Sequence, residues 1–158
     1  MMRVIGARIK KSKNSREILD RVESYRKEQD VFLQLFDQSM VVGKEHLMWA
    51  HQKAKESFEQ KTNRADNLEI EILLWASAEW QIKDALDKMG IEDGVNKMAV
   101  MIDEDPKNFL DYMGWSRDDT ILEPTEKKLK FFGITDEEIS SVDKPYDLVF
   151  EKMATSIL

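Results

Sequence analysis

The sequence has no cysteine and only two histidines, His46 and His51, among its 158 residues. Without cysteine the chain cannot form disulfides, thiolate metal sites or a cysteine nucleophile. No apolar run approaches the ~20 residues that a membrane-spanning helix needs, and the first residues lack the apolar core of a signal peptide. We therefore expect a soluble, cytoplasmic protein with no membrane partner.

The composition suits one folded domain over residues 1–158, because hydrophobic residues make up 42% of the chain. The net charge of -7 argues against a general nucleic-acid binder. The N-terminal segment is nevertheless basic, and its Lys10, Lys11 and Lys13 are predicted to attract a phosphate backbone. A solvated surface with one basic end is the simpler interpretation of the same charges.

Hydrophobic spacing predicts an α/β (α+β) fold with a small mixed β-sheet of about three to four strands packed by helices. Strands are expected at residues 3–9, 31–36 and 95–102, with a further short one at 40–42. A helix is expected after Asn14 or Ser15, with Ile18, Val22 and Tyr25 as its apolar face. Further helices are expected over 44–61, over 68–89 with Gly90 at its end, and in four segments that make the C-terminal third helical, one of which opens with a capping box from Thr135 to Glu138. Residues Ile82, Ala85, Leu86 and Met89 form one amphipathic face of the helix at 68–89.

The stretch VVGKEHLMWAHQKA, residues 41–54, holds both histidines. On a helix, residues five positions apart point roughly 140° apart, so the two imidazoles cannot bind one metal ion. His51 falls within the apolar stripe and is predicted to be half-buried, whereas His46 is predicted to lie off it, in the first helical turn. Unpaired N–H groups there favour an anion beside Gly43 and Lys44.

No pattern of catalytic residues stands out, so no catalytic, metal or cofactor site is assigned. Gly43 and Lys44 lack the remainder of a P-loop. One alternative stays open: a small phosphate-ligand or nucleotide-handling enzyme that uses Gly43, Lys44 and His46 at the helix start.

The stretch IEILLWASAEW is more apolar than a single helical stripe requires. Such a helix is either central to the domain or presents an apolar face to a protein partner. The residues predicted to include the partner contacts are Ile70, Ile72, Leu73, Trp75, Ile82 and Leu86.

Three segments together resemble a known family: residues 41–54, then TNRADNLEIEILLW, then QIKDALDKMGI before an apolar strand. They resemble the small kinase-binding (CGI-type) subunit of the KEOPS complex, of the archaeal type. The resemblance covers about residues 2–102. The matching positions are Gly43, His46, Leu47, Ala50, Ala54, Asn63, Glu71, Gln81, Ile82, Ala85, Leu86, Gly90 and Ile91.

The resemblance implies a non-catalytic subunit of a hetero-oligomeric complex. Its partners would be the atypical kinase/ATPase of KEOPS, which acts in threonylcarbamoyladenosine modification of tRNA, and tRNA itself at the 3′ CCA end. Candidate RNA contacts are Lys44, His46, Asn63 and Arg64, with Lys10, Lys11 and Lys13 adding attraction. Where the family often has an arginine before the QI pair, this sequence has Trp80, which would serve packing or base stacking.

Overall fold

The computed structural model describes residues 1–11 and 14–156. In this part of the chain the strands are β1 (Arg3–Arg8), β2 (Leu33–Asp37), β3 (Lys97–Ile102) and β4 (Ser116–Arg117). The helices are α1 (Ser15–Gln29), α2 (Lys44–Glu59), α3 (Leu68–Ser77), α4 (Ile82–Met89), α5 (Lys107–Met113), α6 (Glu126–Phe131), α7 (Asp136–Ser141) and α8 (Asp147–Thr155). This content confirms the predicted α+β class and the helical C-terminal third.

The chain divides into two compact units. The sheet unit comprises residues 1–38 and 90–122, and the helical unit comprises residues 39–89 and 123–158. None of the helices in the described part of the chain is long and apolar enough to cross a membrane.

The sheet has the strand order β2-β3-β1-β4, and every adjacent pair is antiparallel. The expectation of a mixed sheet was therefore wrong. Strands β1 and β2 run in the same direction and are joined through α1, but β3 lies between them and pairs antiparallel with both. Val100 of β3 faces Ile5 on one side and Leu35 on the other. The two-residue strand β4 was not predicted, because it is too short to show an alternating pattern.

One face of the sheet carries the core of this unit. Asn14 caps α1 by accepting a hydrogen bond from the Glu17 N–H at 2.8 Å, which satisfies a donor at the helix start. The predicted apolar face of α1, Ile18, Val22 and Tyr25, is buried in this core. The buried cluster contains Ile5, Ala7, Ile9, Ile18, Val22, Tyr25, Leu33, Leu35, Met98, Val100, Ile102, Phe109, Leu110 and Met113. Apart from Ile9, which directly follows β1, these residues come from β1, β2 and β3 and from α1 and α5.

Gly6 of β1 is required by a close backbone approach. A Cβ atom at this position would lie 2.2 Å from the carbonyl oxygen of Asp118. The Gly6 carbonyl accepts from the Asp118 N–H at 2.9 Å, and the Gly6 N–H donates to the Asp119 carboxylate at 3.1 Å. The segment that follows forms a 3-10 helix, Asp119–Leu122, whose Ile121 is buried.

The helical unit begins differently from the prediction. Residues 40–42 were expected to form a strand, but Gln38–Met40 is a 3-10 helix and Val41 and Val42 follow it as buried residues outside any regular element. Residues 68–89 were expected to form one helix ended by Gly90, but Ala78 adopts a left-handed conformation with φ 56° and separates α3 from α4. The Thr135–Glu138 capping box was predicted and is present.

Candidate functional site

Three large apolar side chains are exposed where α3 gives way to α4. Trp80 is 57% exposed, Ile82 44% and Leu86 47%. We call these three residues the corner surface. Ile82 and Leu86 are four positions apart and therefore lie on one side of α4. The corner surface is a set of apolar residues that this unit leaves in solvent.

The amphipathic face predicted for α4 is divided between two environments. Ala85 and Met89 are fully buried, whereas Ile82 and Leu86 point outward. Four apolar residues on a two-turn helix therefore serve two surfaces, one internal and one external. Single exposed apolar side chains are common on protein surfaces, whereas several that lie together are typical of a binding surface.

Three of the six residues predicted to contact a partner lie inside the protein. Ile72, Leu73 and Trp75 are buried, so these three members of the predicted set belong to the internal core and not to an outward surface. The reason is that α3 is the central helix of its unit and contacts α2, α4 and α8. Ile70 is half-buried, which leaves Ile82 and Leu86 as the exposed members of the predicted set.

Hydrogen bonds fix the turn between α3 and α4. The Ser77 hydroxyl accepts from the Glu79 N–H at 3.3 Å. Lys88 of α4 reaches back, with its Nζ 2.6 Å from the Glu79 carboxylate and 3.4 Å from the Ser77 carbonyl oxygen. These contacts tie the turn to α4 and support the left-handed residue Ala78.

Arg64, from the loop between α2 and α3, lies over two indole rings. Its guanidinium carbon is 5.3 Å from the ring centre of Trp75 and 5.2 Å from that of Trp80. It donates to the Glu79 carbonyl oxygen at 3.2 Å, and its Nε is 3.8 Å from the carboxylate of Glu71. Only 11% of the Arg64 side chain is exposed. Burial lowers the pKa of Arg64, and the negative charge of Glu71 opposes that shift.

The fully buried Glu71 organises the loop that carries Arg64. Its Oε1 accepts from the backbone N–H groups of Arg64, at 2.8 Å, and Ala65, at 2.9 Å. A buried carboxylate is stabilised when it has hydrogen bonds and an opposite charge nearby, and Glu71 has both. Glu71 is one of the positions that match the family, and its role in this protein is to hold the loop through these hydrogen bonds.

A groove of about 590 Å³ adjoins the corner surface. It is lined by Arg64, Leu74, Trp80, Gln81, Ile82 and Lys83. Trp80, Gln81 and Lys83 were outside the predicted site. The sequence did contain a signal for this region, because Trp80 stands where the family often has an arginine. A tryptophan directly before an apolar helix start could have indicated an exposed contact.

His46 does not occupy the solvent-facing position that was predicted. It is completely buried; its Nδ1 accepts from the Val42 N–H at 3.0 Å, and its Nε2 lies 2.7 Å from the Ala76 carbonyl oxygen. Burial lowers the pKa of His46 to about 4; the hydrogen bond to Ala76 opposes this shift, and the nearby Lys128 cation adds to it. A contact with RNA needs an accessible side chain, and the side chain of His46 is not accessible. His51 is half-buried, as predicted.

The buried stripe of α2 explains this difference. It consists of His46, Leu47, Ala50, Ala54 and Ser57. The prediction drew the stripe through Leu47, Ala50, Ala54 and Phe58, with His51 inside it. The structure includes two polar residues whose hydrogen bonds are satisfied inside the protein, which shifts the buried side toward His46.

The start of α2 is covered by another part of the helical unit. Gly43 has φ 92°, and a Cβ atom there would lie 3.0 Å from the Tyr146 hydroxyl oxygen. Burial raises the pKa of Tyr146 to about 12, with the charge of Glu45 contributing. Lys44 is exposed beside it. Gly43, Lys44 and His46 therefore do not converge on one open anion site.

The remaining predicted RNA contacts lie in different places. Lys10 and Lys11 are exposed in the sheet unit, and Lys13 lies outside the described residues. Asn63 is exposed in the helical unit and donates from its side chain to the Ala65 carbonyl oxygen at 2.9 Å. Within residues 1–11 and 14–156, no group of three or more His, Asp or Glu side chains is arranged to hold a metal ion.

Comparison with known proteins identifies the family. The family model described as kinase binding protein CGI-121 matches residues 9–156, so the match extends through the C-terminal third, where the sequence resemblance was weak. No curated protein matches the chain significantly. Because the matched region covers nearly the whole sequence, the chain belongs to the CGI-121 family of kinase-binding proteins.

Proposed function

We propose that the protein is a non-catalytic regulatory subunit that binds the atypical kinase/ATPase of the KEOPS complex through its corner surface. The observation that carries this proposal is the exposure of Ile82 and Leu86 on the outer side of α4. The complex would be hetero-oligomeric and cytoplasmic, and would make threonylcarbamoyladenosine on tRNA.

The chemistry of the corner surface suits a stable protein contact. Interface cores favour aromatic and large aliphatic side chains over charged ones, and a few buried anchors supply most of the affinity. Trp80, Ile82 and Leu86 offer three such anchors. Lys83 and Gln81 at the adjoining groove can supply polar contacts around them. Covering these side chains would remove their apolar surface from water, which favours binding by about 25 cal/mol for each Å² buried.

The test is reconstitution with the kinase subunit from the same organism. Co-expressed kinase should co-purify with this chain through gel filtration, and its ATP hydrolysis should change when the chain is added. The chain alone should hydrolyse no ATP. Kinase and chain that elute separately at micromolar concentration would overturn the proposal.

We further propose that the protein binds tRNA at its 3′ CCA end, as a member of the archaeal type. The exposed Lys44 and Asn63 support this proposal, and the exposed Lys10 and Lys11 can add long-range attraction. Binding should weaken steeply with salt and should require the terminal CCA. A tRNA trimmed of those three nucleotides that binds with undiminished affinity would contradict end recognition.

The alternative of a phosphate-ligand enzyme at Gly43, Lys44 and His46 is less favoured by the geometry. The His46 imidazole uses both nitrogens within the protein, and Tyr146 lies over Gly43. Nucleotide turnover by the purified chain, lost in Lys44→Ala, would instead support that alternative.

A further inference from the structure

We propose that Arg64 is a positioning residue that holds the exposed Trp80 ring in place for docking of the kinase. This inference rests on the proposed function, since it assigns a role within the same corner surface. It differs from the sequence-based expectation, in which Arg64 contacts RNA directly.

The first observation is that one guanidinium packs against two indole rings. Trp75 is buried and donates its indole N–H to the Ser57 hydroxyl at 3.2 Å, so its ring is fixed within the unit. Arg64 lies over that fixed ring and also over the ring of Trp80. The exposed ring is thus linked to a buried one through a planar cation, which attracts both aromatic faces.

The second observation is that Arg64 also holds the backbone next to Trp80. Its guanidinium donates to the carbonyl oxygen of Glu79, the residue immediately before Trp80. Arg64 is itself held by Glu71, through the backbone N–H and through the ion pair. One side chain therefore limits both the ring and the main chain of the exposed residue.

The third observation is the contrast in exposure. Trp80 is 57% exposed, whereas the Arg64 side chain is only 11% exposed. A partner that covers the corner surface would contact Trp80 over a wide area and Arg64 over very little. An exposed aromatic anchor that is already ordered loses less conformational freedom on binding, and affinity rises accordingly.

The experiment is a double-mutant cycle on affinity for the KEOPS kinase subunit, measured by calorimetry. Trp80→Ala should weaken binding roughly tenfold. Arg64→Ala should weaken binding severalfold in the natural background and leave it unchanged when Trp80 is already alanine. Arg26→Ala, in the sheet unit, removes a partly exposed arginine that pairs with Glu23 and serves as the control.

A conservative variant separates positioning from general stability. Arg64→Lys keeps a positive charge near Glu71 but lacks the planar guanidinium that packs against the two indole rings. It should unfold at nearly the natural urea concentration and still weaken kinase binding. If Arg64→Ala does not fold, the cycle is run with Arg64→Lys.

NMR supplies a readout that a purely structural role would not change. The indole N–H signal of Trp80, identified by its loss in Trp80→Phe, should become more mobile in Arg64→Lys. The indole signals of Trp49 and Trp115 should keep their relaxation behaviour.

Three results would overturn the inference. Arg64 substitution that weakens binding equally in the Trp80→Ala background would show direct contact with the kinase. Arg64 substitution without effect on affinity, or unchanged mobility of the Trp80 ring, would show that the stacking has no role in docking. Loss of kinase co-purification by the natural chain would instead overturn the proposed function.

Discussion

His46 of α2 and Ala76 of α3 are joined by a buried hydrogen bond of 2.7 Å between the imidazole Nε2 and the carbonyl oxygen. Because Nδ1 accepts the Val42 N–H, that nitrogen carries no proton, and Nε2 is the donor to Ala76. The imidazole is therefore neutral and connects the start of one helix with the end of the next. His46, which was expected to face solvent, instead links two helices inside the protein.

This link makes stability depend on pH. The pKa of His46 is lowered by burial to about 4, below the value of 6.5 for an unfolded chain. The unfolded state therefore binds more protons between these two values, and the free energy of unfolding must fall as pH falls through that window. From about pH 7 to about pH 5, the loss from this residue should be about 2 kcal/mol.

Urea unfolding of the natural chain and of His46→Gln at both pH values checks this expectation. The variant should lose less stability on acidification, and His51→Gln should show the same change to a smaller extent, because partial burial also lowers the pKa of His51. An NMR titration should show the His46 ring neutral well below pH 6. A ring that titrates at its ordinary pKa would contradict the buried placement.

Gly43→Ala should destabilise the protein by about 2 kcal/mol, because φ 92° is a conformation that side chains disfavour. The added methyl would also press on the Tyr146 hydroxyl. In a Tyr146→Phe background the penalty should become smaller. Gly114→Ala, which has φ 73° but open space around it, provides the control and should cost less. Equal losses at both glycines would exclude a contribution from Tyr146.

Glu71→Gln should reduce the free energy of unfolding by about 2 kcal/mol, since it leaves the buried Arg64 cation without its opposite charge. Glu71→Ala should cost more, because it also removes the acceptor for two backbone N–H groups. Glu59→Gln changes an exposed glutamate at the end of α2 and should have little effect. Urea unfolding followed by tryptophan fluorescence measures all three variants. An unchanged free energy of unfolding in Glu71→Gln would refute the ion-pair role.

Local sequence patterns predicted those features that depend on neighbouring residues in the chain. The cap at Asn14, the face of α1 and the capping box at Thr135 each follow from spacing within one or two turns. The extent of α2 follows for the same reason. The break at Ala78 was missed because a left-handed conformation is usually adopted by glycine. Here an alanine adopts it, and the Glu79 N–H, which donates to the Ser77 hydroxyl, supports the turn.

The candidate site was only half predictable because helical periodicity does not reveal what covers a face. Ile72 and Leu86 look alike in the sequence, yet the first is buried and the second exposed. Their difference comes from the helices around α3, which only the tertiary structure specifies. Likewise, His46 is buried because Val42 and Ala76 satisfy its nitrogens, and the second partner lies 30 positions away.

The central claim is that the outer side of α4 binds the kinase subunit, and Leu86→Glu tests it most directly. Leu19→Glu on α1 is the matched control, because both leucines are 47% exposed. Measured by calorimetry against the KEOPS kinase subunit, Leu86→Glu should lower affinity at least roughly tenfold, since a charge would be buried at the contact. Leu19→Glu should bind like the natural chain. Equal affinities for the two folded variants would contradict the assignment of α4 as the docking surface.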